Sequence, residues 1–248
     1  MEPDHPLSGE VRELYPGIYG CLVDWTAIPP GLDGLSDRER QSLAGLKDTA
    51  VWSRRVVGCH VLRRLTAVVS GMSAETLRQA GEPGRIFWSA AARAWYGSVA
   101  HSGTLLLAAV SAHVIPGVDM ELIRPRQHYL QLAERCFTAE ESAWVQGAAE
   151  LHSKDGDSGL IRFLKLWTRR EAVVKALGLG VIQGFPRVAV PACQSLVEPI
   201  RIMCSGADPA AGQAWVEDIR NTPTSVIAAL AWRPRDGAGV IPRRPEPE

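Results

Sequence analysis

Apolar residues recur at helical spacing over residues 52–70, where Val56, Val57, Val61, Leu62 and Leu65 share one stripe. The same period runs through residues 161–177 and stops at Gly178 and Gly180, residues suited to end a helix. Helical patterns also cover residues 127–137 and 140–149. A further helix is predicted from Ser36, with Glu39 three residues on completing a capping box. Strand patterns occupy residues 18–25, rich in apolar and aromatic side chains, and residues 104–111, a run suited to a buried strand. Pro116-Gly117 is read as a turn leading into residues 118–122, where apolar and acidic side chains alternate. From 178 to 232 the pattern is strand-like, while residues 80–85 and 152–159 read as loops. Residues 225–232 (SVIAALAW) echo residues 104–111 (TLLLAAVS), which predicts two similar α+β halves.

Composition narrows the classes of function. The chain has 248 residues and 46% hydrophobic content, enough for one large domain or two small ones. Lysine plus arginine and aspartate plus glutamate number 27 each, so no basic excess argues for nucleic acid. An anionic ligand would need a local basic cluster. Five cysteines (21, 59, 136, 193 and 204) without CxxC spacing suit a reducing compartment. The first residues lack a secretory pattern and no apolar run is long enough for a bilayer, so the expectation is a cytoplasmic protein without a membrane partner.

Three groups of residues carry candidate chemistry. On a strand, Asp119 and Glu121 point to one face, with Val118, Met120 and Leu122 on the other. That pair is either the solvated face of an edge strand or a pair of hard oxygen ligands for Mg²⁺. On the predicted helix, Trp167, Glu171 and Lys175 lie four apart along one stripe. Glu171 before Lys175 is also the order of an ordinary surface ion pair, worth about 0.3–0.5 kcal/mol. His101 and Ser102, beside Gly103, are candidate phosphate contacts.

Gly117-Val-Asp-Met-Glu121 and Trp167-Thr-Arg-Arg-Glu-Ala-Val-Val-Lys175 resemble the two signature motifs of the phosphopantetheinyl transferase superfamily, G-[VI]-D-x-E and W-[ST]-x-K-E-[AS]-x-x-K. His101-Ser-Gly103 resembles a third segment, and the order, gaps and chain length resemble the large single-chain (Sfp-type) branch over about residues 18–232. The resemblance implies an α+β fold of two pseudo-symmetric lobes with the active site in the cleft between them. The lobes would span residues 1–112 and 113–232, with 233–248 a disordered tail. It further implies a monomer that binds coenzyme A and an apo acyl or peptidyl carrier protein. Asp119, Glu121 and Glu171 would hold Mg²⁺, since three neighbouring carboxylates repel by about 4 kcal/mol per pair at 4 Å. Glu171 would take the proton of the carrier serine, directly or through water, and Lys175 would neutralise the diphosphate. Arg38, Arg40 and Arg54 would meet the 3′-phosphate, Gly84-Arg85 the adenine, and His101 and Ser102 the diphosphate. Arg124 and Arg126 would face an acidic carrier helix.

The chain departs from the motifs at Ala100, where serine is usual, at Ile86 for proline, at Arg170 for lysine and at Leu179 for lysine. These bear on coenzyme A affinity and spare the carboxylates. Two other classes remain in play: a metal-dependent phosphohydrolase cleaving coenzyme A or nucleotides, and a non-catalytic binding module.

Overall fold

The computed structural model describes residues 9–73, 77–79, 86–90, 93–150, 158–206 and 212–235, so Gly84 and Arg85, the loop at 152–157 and the tail from 236 lie outside the described residues. The described residues divide into two compact units, one up to Pro116 and the other from Gly117.

The first unit holds six strands: β1 (Arg12–Tyr15), β2 (Ile18–Asp24), β3 (Arg78–Gln79), β4 (Ile86–Ala90), β5 (Arg93–Ser102) and β6 (Leu105–Ser111). They form one sheet in the order β1-β2-β6-β5-β4-β3, and each neighbouring pair is antiparallel. α1 (Asp37–Leu43) and α2 (Thr49–Ser70) complete the unit. The capping box forms as expected: the Ser36 hydroxyl accepts from the Glu39 amide at 3.3 Å, and Glu39 Oε2 accepts from the Ser36 amide at 2.7 Å. Asp48 caps α2 by accepting from the Val51 amide at 2.9 Å, a contact of a kind worth about 1 kcal/mol. The predicted stripe on α2 is buried, and Val57, Val61, Leu62 and Leu65 pack with Cys21, Val23, Leu106 and Ala108 of the sheet.

The second unit has a four-stranded sheet in the order β7-β10-β9-β8, built from β7 (Val114–Leu122), β8 (Ile200–Met203), β9 (Gln213–Asp218) and β10 (Val226–Pro234). Its helices are α3 (Tyr129–Cys136), α4 (Ala139–Glu150), α5 (Gly159–Leu177) and α6 (Val181–Gly184). Segregated helices and antiparallel sheets give a mixed α/β architecture. The echoing segments, β6 and β10, each occupy an interior place in their own sheet. That place explains why both read as continuous apolar runs.

α5 is the spine of this unit. Ser158 caps it and Gly178, at φ +68°, ends it. Phe163, Leu166, Val173 and Ala176 are buried with Val216, Ala229 and Ala231 of the sheet.

Two expectations fail here, the first because residues 181–184 of the strand-like stretch form α6. Pro116-Gly117 is not a turn; β7 runs straight through it. β7 is an edge strand, where a residue without an amide proton is tolerated. Gly117 is required for another reason, given below.

Candidate functional site

β7 and α5 meet at Gly117. A Cβ there would lie 2.1 Å from the Ala172 carbonyl oxygen and 2.5 Å from the Ala176 amide nitrogen, so only glycine lets the helix backbone rest on the strand. This close approach sets Lys175 against β7. Its Nζ donates to the Val118 carbonyl at 3.0 Å and to Asp119 Oδ1 at 2.7 Å. One turn back along α5, Glu171 Oε2 stands 3.8 Å from the same Nζ. Lys175 is therefore more than one half of a surface ion pair, because its shortest contact is to the other element.

Asp119 is buried, not displayed on a solvated edge. Its Oδ2 is shielded from solvent and has no hydrogen-bond partner among the described residues. Burial pushes its carboxyl up, the Lys175 ammonium pulls it back, and the charges of Glu171 and Glu121 push it up again, leaving it at about 7. Glu171 is also raised, chiefly by burial, with Lys175 opposing and Glu121 adding to the shift. These mutual influences show the three carboxylates of β7 and α5 sharing one electrostatic neighbourhood. Glu121 is held on its other side by Arg126, whose Nη2 donates to Oε1 at 3.0 Å.

The residue types suit a hard divalent cation, and the unpartnered Asp119 oxygen is one that a cation would satisfy. As they stand, no three His, Cys, Asp or Glu side chains among the described residues are grouped closely enough to hold a metal. Asp119 and Glu121 are instead each tied to a cation of the chain itself.

The rest of the α5 motif faces inward. Trp167 stacks on Phe163 at 5.6 Å between centroids and meets Phe185 at 4.9 Å, so the aromatic end of the predicted stripe belongs to the core. Arg169 forms a two-pronged pair with Asp218 on β9, at 2.8 and 2.7 Å, and donates to the Pro191 and Cys193 carbonyls. Arg170 is buried against Glu141 of α4 and donates to the Cys136 and Phe185 carbonyls at 2.8 and 2.6 Å. Glu141 Oε1 in turn accepts from the Val190 amide at 2.8 Å. Arginine at 170 is thus a packing residue turned away from Asp119 and Lys175. Nothing in the motif itself signals Glu141 as its partner.

In the first unit, Arg38 and Arg40 lie exposed on α1, and Arg40 Nε donates to the Leu35 carbonyl at 3.1 Å. Arg54 is half-buried on α2, and its Nε is shielded without a hydrogen-bond partner among the described residues. His101 is exposed and Ser102 buried at the end of β5, not in a loop, and the chain reverses at Gly103 (φ +58°) into β6. Among the described residues no helix is long and apolar enough to cross a membrane.

Comparison with known proteins bears out the motif resemblance. Residues 116–230 match the family model of the 4′-phosphopantetheinyl transferase superfamily. The chain is 39% identical over 94 residues to a Synechocystis protein provisionally called a 4′-phosphopantetheinyl transferase, covering 38% of this chain and 35% of the relative. It is 35% identical over 98 residues to the 4′-phosphopantetheinyl transferase AcpT of Salmonella typhimurium, covering 40% and 47%. AcpT of Escherichia coli K12 aligns at 28% identity over 151 residues, 61% of this chain and 66% of that protein. The chain thus spans about a third to a half of the length of the first two relatives.

Proposed function

We propose, from a chain whose residues 116–230 match the 4′-phosphopantetheinyl transferase superfamily, a transferase of the holo-acyl-carrier-protein synthase type. It moves the 4′-phosphopantetheine arm of coenzyme A onto a serine of an apo acyl or peptidyl carrier protein, with Mg²⁺ and release of 3′,5′-ADP. The observation that carries the reading is the meeting of β7 with α5, where Lys175 Nζ reaches Asp119 Oδ1 at 2.7 Å beside Glu171.

In this reading the serine Oγ attacks the β-phosphorus of coenzyme A. The bond from that phosphorus to the oxygen bridging the two phosphates breaks, and its electron pair leaves with 3′,5′-ADP. Glu171 accepts the serine proton, and burial, by raising its carboxyl, makes it a stronger base. Lys175 donates to the diphosphate and offsets the charge that develops on the leaving group. Asp119, Glu121 and Glu171 would hold Mg²⁺, which when bound offsets the charge of the diphosphate and of the carboxylates themselves. By the motif resemblance, Arg54, with Arg38 and Arg40, would hold the 3′-phosphate, Gly84-Arg85 would border the adenine, and His101 and Ser102 would meet the diphosphate. The shielded, unpartnered Nε of Arg54 supports its part in this, since a phosphate oxygen would satisfy it.

The test is incubation of the full chain with coenzyme A, Mg²⁺ and a panel of apo-carriers, read by intact mass. One carrier gains a single phosphopantetheine, and Glu171→Gln lowers the loading rate by about a hundredfold while coenzyme A binding persists. Release of nucleotide from coenzyme A without any carrier would identify a phosphohydrolase and overturn the reading.

A further inference from the structure

After β7 the chain passes through Ile123, Arg124 and Pro125, and Arg126 then folds back over the end of the strand. Its Nη2 donates to Glu121 Oε1 at 3.0 Å, with the two side chains only 24% and 16% exposed. Its guanidinium carbon also lies 5.8 Å from the centroid of the Phe163 ring on α5. A carboxylate and an aromatic face therefore hold the same planar cation. Arg124, by contrast, is exposed. Of the two arginines read from sequence as facing a carrier, one is thus directed at a carboxylate of the candidate cation site.

We infer that Arg126 competes with a divalent cation for Glu121 and so sets the affinity of the carboxylate site. The inference rests on the carboxylate assignment above. Without a metal all three carboxylates already face a cation of the chain, Lys175 for Asp119 and, at 3.8 Å, for Glu171, and Arg126 for Glu121. Arg126 holds one oxygen of Glu121, so a metal either displaces it from Oε1 or shares the carboxylate with it through Oε2. In either case Arg126 offsets charge that the cation would otherwise take up, and the stronger the internal pair, the weaker the apparent affinity.

The experiment titrates the full chain with Mn²⁺ alone, without coenzyme A, and reads free Mn²⁺ by electron paramagnetic resonance. Arg126→Met removes the charge but keeps an apolar stem against Phe163, and Arg126→Lys keeps the charge. Arg126→Met is expected to bind Mn²⁺ about fivefold more tightly than the parent, the scale of a partly exposed ion pair. Arg126→Lys should stay within about twofold of the parent, since the charge is retained. Glu121→Gln should bind more weakly than either. Should Arg126→Met fail to fold, Arg126→Gln answers the same question. Equal or weaker Mn²⁺ binding by the neutral variant, with binding still sensitive to Glu121→Gln, overturns the competition and leaves the carboxylate assignment standing. A parent that binds no Mn²⁺, or a Glu121→Gln variant that binds as the parent does, overturns both.

Discussion

Replacing Gly117 with alanine tests the contact on which the site is built. The new Cβ would lie 2.1 Å from the Ala172 oxygen, 2.5 Å from the Ala176 nitrogen and 3.1 Å from the Ala176 Cα. Comfortable separations are about 3.5 Å, so the methyl group intrudes by more than an ångström. The obstructing atoms are all α5 backbone, which cannot rotate aside as a side chain can. α5 is further pinned by Arg169 to Asp218 and by Arg170 to Glu141, so the helix must lift from β7 as a body. Overpacking of this kind costs about 1–3 kcal/mol. With a urea dependence of about 2 kcal/mol per molar, the unfolding midpoint should fall by about 1 M. The lift also draws Lys175 from Asp119, and a displacement near 1 Å lowers carrier loading by about a hundredfold. Gly147 in α4 is the control. A Cβ there meets nothing within 4 Å, so Gly147→Ala should gain up to about 1 kcal/mol with loading unchanged. A Gly117→Ala protein that unfolds at the parental midpoint and loads carriers at the parental rate would refute the reasoning.

Two further outcomes follow from buried charges. Arg170→Met leaves Glu141 buried without its cation and should cost about 3–5 kcal/mol in urea unfolding, whereas Arg170→Lys should recover part of that loss. A parental midpoint for the methionine variant would remove Arg170 from the packing role. The raised Asp119 carboxyl means the folded chain binds more protons than the unfolded chain between about pH 4 and 7, so the metal-free protein loses stability as pH rises through that window. Asp119→Asn lacks this proton, and the difference in unfolding free energy between parent and variant should therefore shift in the variant's favour from pH 4 to 7, by on the order of a few kcal/mol. A difference independent of pH would contradict the assigned shift.

What was legible in the sequence is what local geometry controls. The caps and period of α5, the capping box at Ser36 and Glu39, and the sharing of a strand face by Asp119 and Glu121 follow from spacings of two, three or four residues. The same spacings put Glu171 and Lys175 on one face of α5. Contacts over long separations do not follow from spacing, because they depend on which elements pack together; the motif resemblance implied a common site for Asp119 and Glu171, but not the hydrogen bond of Lys175 to Asp119. Lys175 meets Asp119 across 56 residues and Arg169 meets Asp218 across 49, and no period in the chain encodes either pairing. Pro116-Gly117 has the composition of a turn, yet an edge position accommodates the proline and the approach of α5 demands the glycine. Arg170 carries the charge expected of a ligand contact, and the packing of α4 and α5 gives it to Glu141 instead. By itself the sequence determined which residues can do chemistry and which neighbours share a face. The tertiary structure alone decided which charges are buried, and with which partners, because burial and long-range pairing arise only when distant elements close a common core.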